Sequence, residues 1–338
     1  MMSFLRLRAA QVAGVAGCLL FPLVVASAAE QADVTLLDAK RGRSVECRIH
    51  FPGAGDALPL IVFSHGFGGD RTAFTAISQH WADHGYVVVH PSHQDGFGRS
   101  GAKKGAAKAD EESAPTVGGR RAGALRGNLA GGGLAGLMSD PAKVEGRVRD
   151  VTFILDALGQ IYEKVPALKG RIDVSRVGVG GHSYGAYTSM LIGGVTVDLG
   201  GQKARSFGDP RVRCILPVSA QGTGQQGLTE GSWKNLKLPM MTITGSRDQG
   251  AGGQGSEWKK EPFTFSPPGD KYLLFIEGAN HVSFGGFGGR ESDITRVVKA
   301  ATLAYWDAYL RGDAGAKASL QNGGVMKPFA GKASLQSK

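Results

Sequence analysis

Short apolar runs punctuate the chain at Val34–Leu37, Val45–Phe51, Leu60–Ser64, Tyr86–His90, Val177–Gly180, Cys214–Val218, Met240–Thr244 and Tyr272–Ile276. Most are rich in β-branched or aromatic residues and end near Gly or Pro, a pattern that predicts eight buried strands. Helical periodicity fills many of the intervals. After Asp70, read as an N-cap, Phe74, Ile77 and Trp81 share one face, and Gly85 stands where a left-handed C-terminal residue belongs. A second helix is predicted from Ala142 to Ile161, with Val144, Val148, Val151, Ile154, Leu155 and Leu158 inward. A third begins near Ser292 and carries Ile294, Val297, Val298, Ala301 and Tyr305 before Gly312. Strands alternating with helices predict an α/β fold, a mostly parallel eight-stranded sheet with helices on both faces.

Residues 95–140 break the rhythm. They hold twelve Gly and scarcely any large apolar side chain, so they build little core of their own. The segment leaves the C-terminal end of the fourth predicted strand, where open α/β sheets bind ligands, so it reads either as a surface insertion or as a substrate lid.

The N-terminus has a different logic. Arg6 and Arg8 precede an apolar stretch interrupted by Gly14, Gly17 and Pro22, and Ala26-Ser27-Ala28 follows as a small-x-small cleavage signature. Residues 1–28 therefore read as a secretory signal peptide, which places the mature chain outside the cell or in a periplasm. Val15-Ala16-Gly17-Cys18 also resembles a lipoprotein box, but the apolar run continues for eight residues beyond Cys18, which favours cleavage without lipidation.

Charge and composition then narrow the classes. The chain carries 39 Lys and Arg against 29 Asp and Glu, a net +10. The excess concentrates in residues 95–147, with nine basic against six acidic side chains, and in residues 311–338, with five against one. These lie among Gly, Ala and Ser and not in a stripe on a regular element, so nucleic acid is not an expected partner. They read as solvated loop and a flexible basic tail over residues 312–338, with contact to an anionic surface as the alternative. Three cysteines give no disulfide framework, and no His/Cys cluster has zinc-ligand spacing, so no metal site and no cofactor are expected.

Gly181-His182-Ser183-Tyr184-Gly185 matches G-x-S-x-G. In a chain with 53 glycines the pentapeptide alone decides little, but it sits between a predicted strand and a predicted helix, as a nucleophile elbow requires. A serine hydroxyl needs a base in hydrogen-bond reach and an acid to orient that base. Asp248 and His281 each follow a predicted strand, in the chain order Ser, Asp, His. Of the eight histidines only His281 lies downstream of Ser183. Asp209 is the rival acid, but it precedes Pro210 and a strand, which suits a turn. Backbone amides of Tyr184 and of Phe67, in the loop His65-Gly66-Phe67-Gly68-Gly69, are placed to form an oxyanion hole. The side chains of Phe67, Tyr184 and Phe284 are expected to line the substrate; Phe67, Phe284 and Phe287 also suggest action at an interface, with loop packing as the alternative for Phe284 and Phe287.

Together these residues resemble the α/β-hydrolase superfamily over about residues 34–311. Trp81-Ala82-Asp83-His84-Gly85-Tyr86-Val87-Val88-Val89 and Gly181-His182-Ser183-Tyr184-Gly185-Ala186-Tyr187 are similar to the branch of predicted dienelactone hydrolases, platelet-activating-factor acetylhydrolases and bacterial cutinase-like polyesterases. The chain differs from the dienelactone pattern in carrying serine where that pattern has cysteine. The resemblance implies a catalytic domain over residues 29–311 that hydrolyses carboxylic esters without a cofactor through Ser183, Asp248 and His281. Its substrate would be a small-molecule, lipid or polymer ester. The alternatives are an interfacial lipase, polyester hydrolase or acetylhydrolase, and a non-catalytic binding protein on the same fold; a monomer is expected. In the strand order of this fold, Cys47 and Cys214 are several strands apart, which implies two free, buried thiols.

Overall fold

The computed structural model describes residues 28–95, 133–286 and 291–338. The expected signal peptide, most of the Gly-rich insertion and Phe287 lie outside the described residues. Among the described residues nine strands form the main sheet: β1 (Glu30–Asp38), β2 (Arg43–Phe51), β3 (Leu58–Ser64), β4 (Val87–Pro91), β5 (Ile172–His182), β8 (Val212–Val218), β9 (Met240–Arg247), β10 (Lys271–Asn280) and β11 (Ala333–Ser337). Their order is β1-β2-β4-β3-β5-β8-β9-β10-β11, while β6 (Val197–Leu199) and β7 (Gln202–Arg205) make a separate pair. From β4 through β10 every neighbouring pair is parallel; β1, β2 and β11 run antiparallel to their neighbours. This is the α/β-hydrolase fold.

The strands alternate sides residue by residue, as the two-residue pleat dictates. Along β3, Leu60 and Val62 join one core, whereas Ile61 and Phe63 join the other. The first core is closed by α3 (Pro141–Asp156), α4 (Leu158–Lys164) and α5 (Tyr184–Ile192), following the short α2 (Gly133–Met138). The second is closed by α1 (Thr75–Asp83) and α7 (Asp293–Trp306). Here Trp81 and Trp306 meet edge to face at 5.7 Å, both fully buried. Two further helices, α6 (Ser256–Phe265) and α8 (Ala314–Gln321), pack beside β9 and α7. No helix among the described residues is long and apolar enough to cross a membrane.

Several details depart from the sequence reading. Asp70 does not cap α1; its carboxylate accepts from the amide and hydroxyl of Thr72 in a turn, and the helix begins only after Phe74. Phe74 adopts a left-handed conformation, and its ring is buried against Phe63 and His182, at 4.9 and 5.2 Å. The predicted helix over 142–161 is two helices divided at Ala157, where φ −97° and ψ 19° leave the helical range. Asp140 caps the first by accepting from the Ala142 amide, with Pro141 at the first helical position.

The expectation of a flexible tail is corrected. Asp313 caps α8, Leu320 and Met326 are buried, and β11 extends the sheet by pairing Tyr272 to Ile276 with Ser337 to Ala333. As an edge strand β11 has one ladder and mostly exposed side chains, so its polar sequence Ala-Ser-Leu-Gln-Ser carries no apolar signature. Cys47 on β2 and Cys214 on β8 are free and fully buried, with three strands between them.

Gly178 of β5 shows how closely the second layer is fitted. A Cβ there would lie 2.6 Å from the Trp306 ring and 3.1 Å from Leu310. Gly178→Ala is expected to destabilise the fold by about 1–3 kcal/mol through this overpacking. Urea denaturation checks it, and an unchanged midpoint would contradict the packing described.

Candidate active site

Ser183 stands alone between the end of β5 and the start of α5, at φ 57° and ψ −117°. A non-glycine residue there is strained by about 1–3 kcal/mol, and the neighbouring contacts must hold it. The Ser183 amide donates to the Val218 carbonyl at 2.9 Å, and its own carbonyl accepts from Ala186 and Tyr187 at 2.9 and 3.2 Å. The spacing of glycines around it has a steric cause. A Cβ on Gly185 would collide with the Ser64 carbonyl at the end of β3, and one on Gly181 would collide with the backbone of Gly185.

β9 and β10 end on the same side of the sheet as β5. Asp248 directly follows β9 and His281 directly follows β10. His281 Nε2 lies 3.0 Å from Ser183 Oγ, and His281 Nδ1 lies 3.2 Å from Asp248 Oδ1. The His281 side chain is 37% exposed while Asp248 is fully buried, so the imidazole links open space to an enclosed carboxylate. Asp248 Oδ2 accepts from the Thr244 hydroxyl at 2.9 Å. Burial raises the Asp248 pKa, but the His281 bond, the nearby Lys259 ammonium and the Ser219 hydroxyl outweigh it and hold the carboxyl below its usual value. The rival acid, Asp209, is engaged with Arg211 at 2.9 and 2.6 Å.

Three neighbours of this line were not anticipated. Ser219, fully buried, lies 2.9 Å from Asp248 Oδ1 and 2.8 Å from His281 Nδ1. Lys259 of α6, 1% exposed, donates to the Ser219 carbonyl at 3.1 Å. His182 donates from Nε2 to the His281 carbonyl at 2.6 Å; desolvation and the adjacent His281 push its pKa down to about 3, so the ring stays neutral. Position could have revealed Ser219, because it follows β8 as Asp248 follows β9. Lys259 has no such signal, since a lysine on an amphipathic helix reads as solvated.

The loop His65–Gly69 lies on the other side of Ser183; a Cβ on Gly66 would be 3.4 Å from the Ser183 Cβ. It is braced from below. Arg147, almost wholly buried, donates to the His65 carbonyl at 2.7 Å and to the Gly66 carbonyl at 3.3 Å while paired with Asp95 at 3.0 Å. The His93 amide donates to His65 Nε2 at 3.0 Å, which leaves His65 Nδ1–H to donate to the Gly66 carbonyl at 2.6 Å. His93 joins Asp150 at 2.9 Å and Ser64 at 3.1 Å, and Asp150 is held by Arg41 and Arg43 at 2.8 and 3.1 Å. Burial and the positive field of Arg147 push both His65 and His93 well below the ordinary imidazole value.

The expected substrate-lining side chains are distributed differently. Phe67 is half-buried, edge-on to Tyr184 at 5.9 Å. Tyr184 is fully buried, stacked on Tyr187 with Arg147 4.5 Å above its ring, and Phe284 is fully buried beside His182. The last two are therefore packing groups, because their rings face the interior. The Tyr184 amide opens α5 among the first-turn N–H groups that lack an intrahelical acceptor.

The family model for platelet-activating factor acetylhydrolase, isoform II, matches residues 35–115. The chain is 25% identical over 245 residues to the platelet-activating factor acetylhydrolase of Canis lupus familiaris, covering 69% of this chain and 49% of that one. It is 24% identical over 249 residues to the Cavia porcellus protein of the same name, covering 68% and 49%. A Bos taurus protein of that name is 46% identical over 46 residues, 14% of this chain and 10% of its own. The chain thus spans about half the length of the curated relatives it matches over most of its own length.

Burial pushes the Lys259 ammonium down to about 8 from its ordinary 10.5, with the field of Asp248 only partly opposing. Between these values the unfolded chain binds more protons than the folded one, so this residue makes stability rise with pH across that window. Relative to Lys259→Met, the wild type is expected to gain about 1–3 kcal/mol between pH 7 and pH 10.5. Urea denaturation of both proteins measures it; a difference independent of pH would rule out a buried ammonium.

Proposed function

We propose that this chain is a serine carboxylic-ester hydrolase acting through an acyl-enzyme. The observation that carries the reading is the 3.0 Å approach of His281 Nε2 to Ser183 Oγ on a strained turn, with the imidazole open to solvent on one side. Nε2 takes the hydroxyl proton as Oγ bonds to the ester carbonyl carbon. Negative charge moves onto the carbonyl oxygen, for which the amides of Tyr184 and Phe67 are the donors in this reading. Asp248 stabilises the imidazolium without taking its proton. Collapse of the tetrahedral species breaks the bond to the alcohol oxygen, which receives the proton from Nε2. Water, deprotonated by the same nitrogen, then attacks the acyl-enzyme, releasing the carboxylic acid and returning the proton to Ser183.

Among esters, an acetyl or other short acyl group on a lipid alcohol is favoured, because the relatives matched over most of this chain are named platelet-activating factor acetylhydrolases. The charged and glycine-bearing stretch Arg6 to Ala28 supports export before action.

Ser183→Ala is expected to lose labelling by a fluorophosphonate and to lower kcat on p-nitrophenyl acetate by at least about 10³-fold. Retained hydrolysis in a correctly folded Ser183→Ala would remove Ser183 as nucleophile. On phospholipid analogues differing only at one acyl position, the acetyl ester is expected to exceed the long-chain ester in kcat/KM. The reverse order, with a rise on emulsions, would favour an interfacial lipase.

A further inference from the structure

His281 Nδ1 has two oxygens within reach, Asp248 Oδ1 at 3.2 Å and Ser219 Oγ at 2.8 Å, and those two oxygens are themselves 2.9 Å apart. A hydroxyl carries one proton, and a carboxylate can only accept. Asp248 Oδ1 therefore has donors on both sides only when the Ser219 proton is directed to it, and the Ser219 oxygen can then only accept from His281. Nδ1 must carry the ring proton, which leaves the lone pair of Nε2 directed at Ser183. If the Ser219 hydroxyl turned instead toward Nδ1, the ring proton would sit on Nε2 and the base would be lost.

We propose that Ser219 is a positioning residue that fixes His281 in the tautomer able to accept the Ser183 proton. The inference rests on the hydrolase reading for its consequence in rate, though the tautomer itself is a property of the resting protein. The backbone of Ser219 is built to hold the hydroxyl in place. It is a fully buried non-glycine residue at φ 52°. Its amide donates to the Ile243 carbonyl at 2.7 Å, and its carbonyl accepts from Lys259 Nζ at 3.1 Å. With both peptide groups engaged, the side chain stays between the acid and the base. Without the hydroxyl, Asp248 Oδ1 loses a donor and Nδ1–H is left with the longer 3.2 Å contact alone.

Ser219→Gly tests this while keeping the backbone conformation accessible, and Ser219→Ala provides a second variant without the hydroxyl. In both, kcat on a short p-nitrophenyl ester is expected to fall about tenfold to a hundredfold with KM nearly unchanged. That is less than the about 10⁴-fold loss seen where the orienting acid itself is replaced. Histidine-labelled ¹⁵N spectra are expected to show His281 protonated on Nδ1 in the wild type and exchanging between tautomers in the variants. Wild-type kcat and an unchanged ¹⁵N pattern in either folded variant would overturn the proposal. Ser183→Ala separates it from the hydrolase reading. If that variant still hydrolyses esters, the reading of Ser183 fails, while the His281 spectra of the Ser219 variants continue to judge Ser219.

Discussion

The arrangement depends on one close approach, that of the carbonyl end of β3 to the first turn of α5. At Gly185 there is no room for even a single carbon beyond the backbone. That contact forces the chain to leave β5 through a single strained residue, and Ser183 is the residue left outside. It also sets the distance between Ser183 and the loop that continues from β3. The nucleophile candidate and the loop expected to face its oxyanion are thus positioned by the same steric limit.

Around this contact, parallel strands do the gathering. β5, β8, β9 and β10 end side by side, and the residues just beyond them are Ser183, Ser219, Asp248 and His281. Residues distant in the chain become neighbours because a parallel sheet brings all its C-terminal ends to one rim. Beneath the loop after β3, a second and wholly enclosed line of Ser64, His93 and Asp150 has similar chemistry but a different environment. Enclosure keeps its histidine neutral, and Arg41 and Arg43 occupy the carboxylate, so the line serves to brace His65 and Gly66. The same three residue types therefore meet at hydrogen-bond distance in two places, one enclosed by the protein and one with its imidazole open to solvent.

Much of this was legible in the chain because burial on both faces demands runs such as Leu60–Ser64 and Met240–Thr244, which need no knowledge of their partners. Asp248 and His281 could be singled out because each directly follows such a run. β11 was not legible, since a strand with one ladder and exposed side chains has no need of apolar residues. Nor was the direction of a ring: Tyr184 and Phe284 sit beside the right residues in sequence but point into the core, an outcome decided by Tyr187, Arg147 and His182. Asp70 misled because the same side chain that caps helices also closes turns. Ser219 and Lys259 escaped notice because a serine after a strand and a lysine on a helix are ordinary until the fold places them against a carboxylate.

Cys47 and Cys214 carry a consequence for how the fold is held together. Burial pushes both thiols well up, and the strands between them forbid pairing. Neither sulfur is available as a thiolate for exchange, and no covalent bond between them contributes to the native state. Among the described residues the fold is consequently held by packing and hydrogen bonds without a disulfide, and its two sulfurs lie out of reach of exchange with a dissolved thiol.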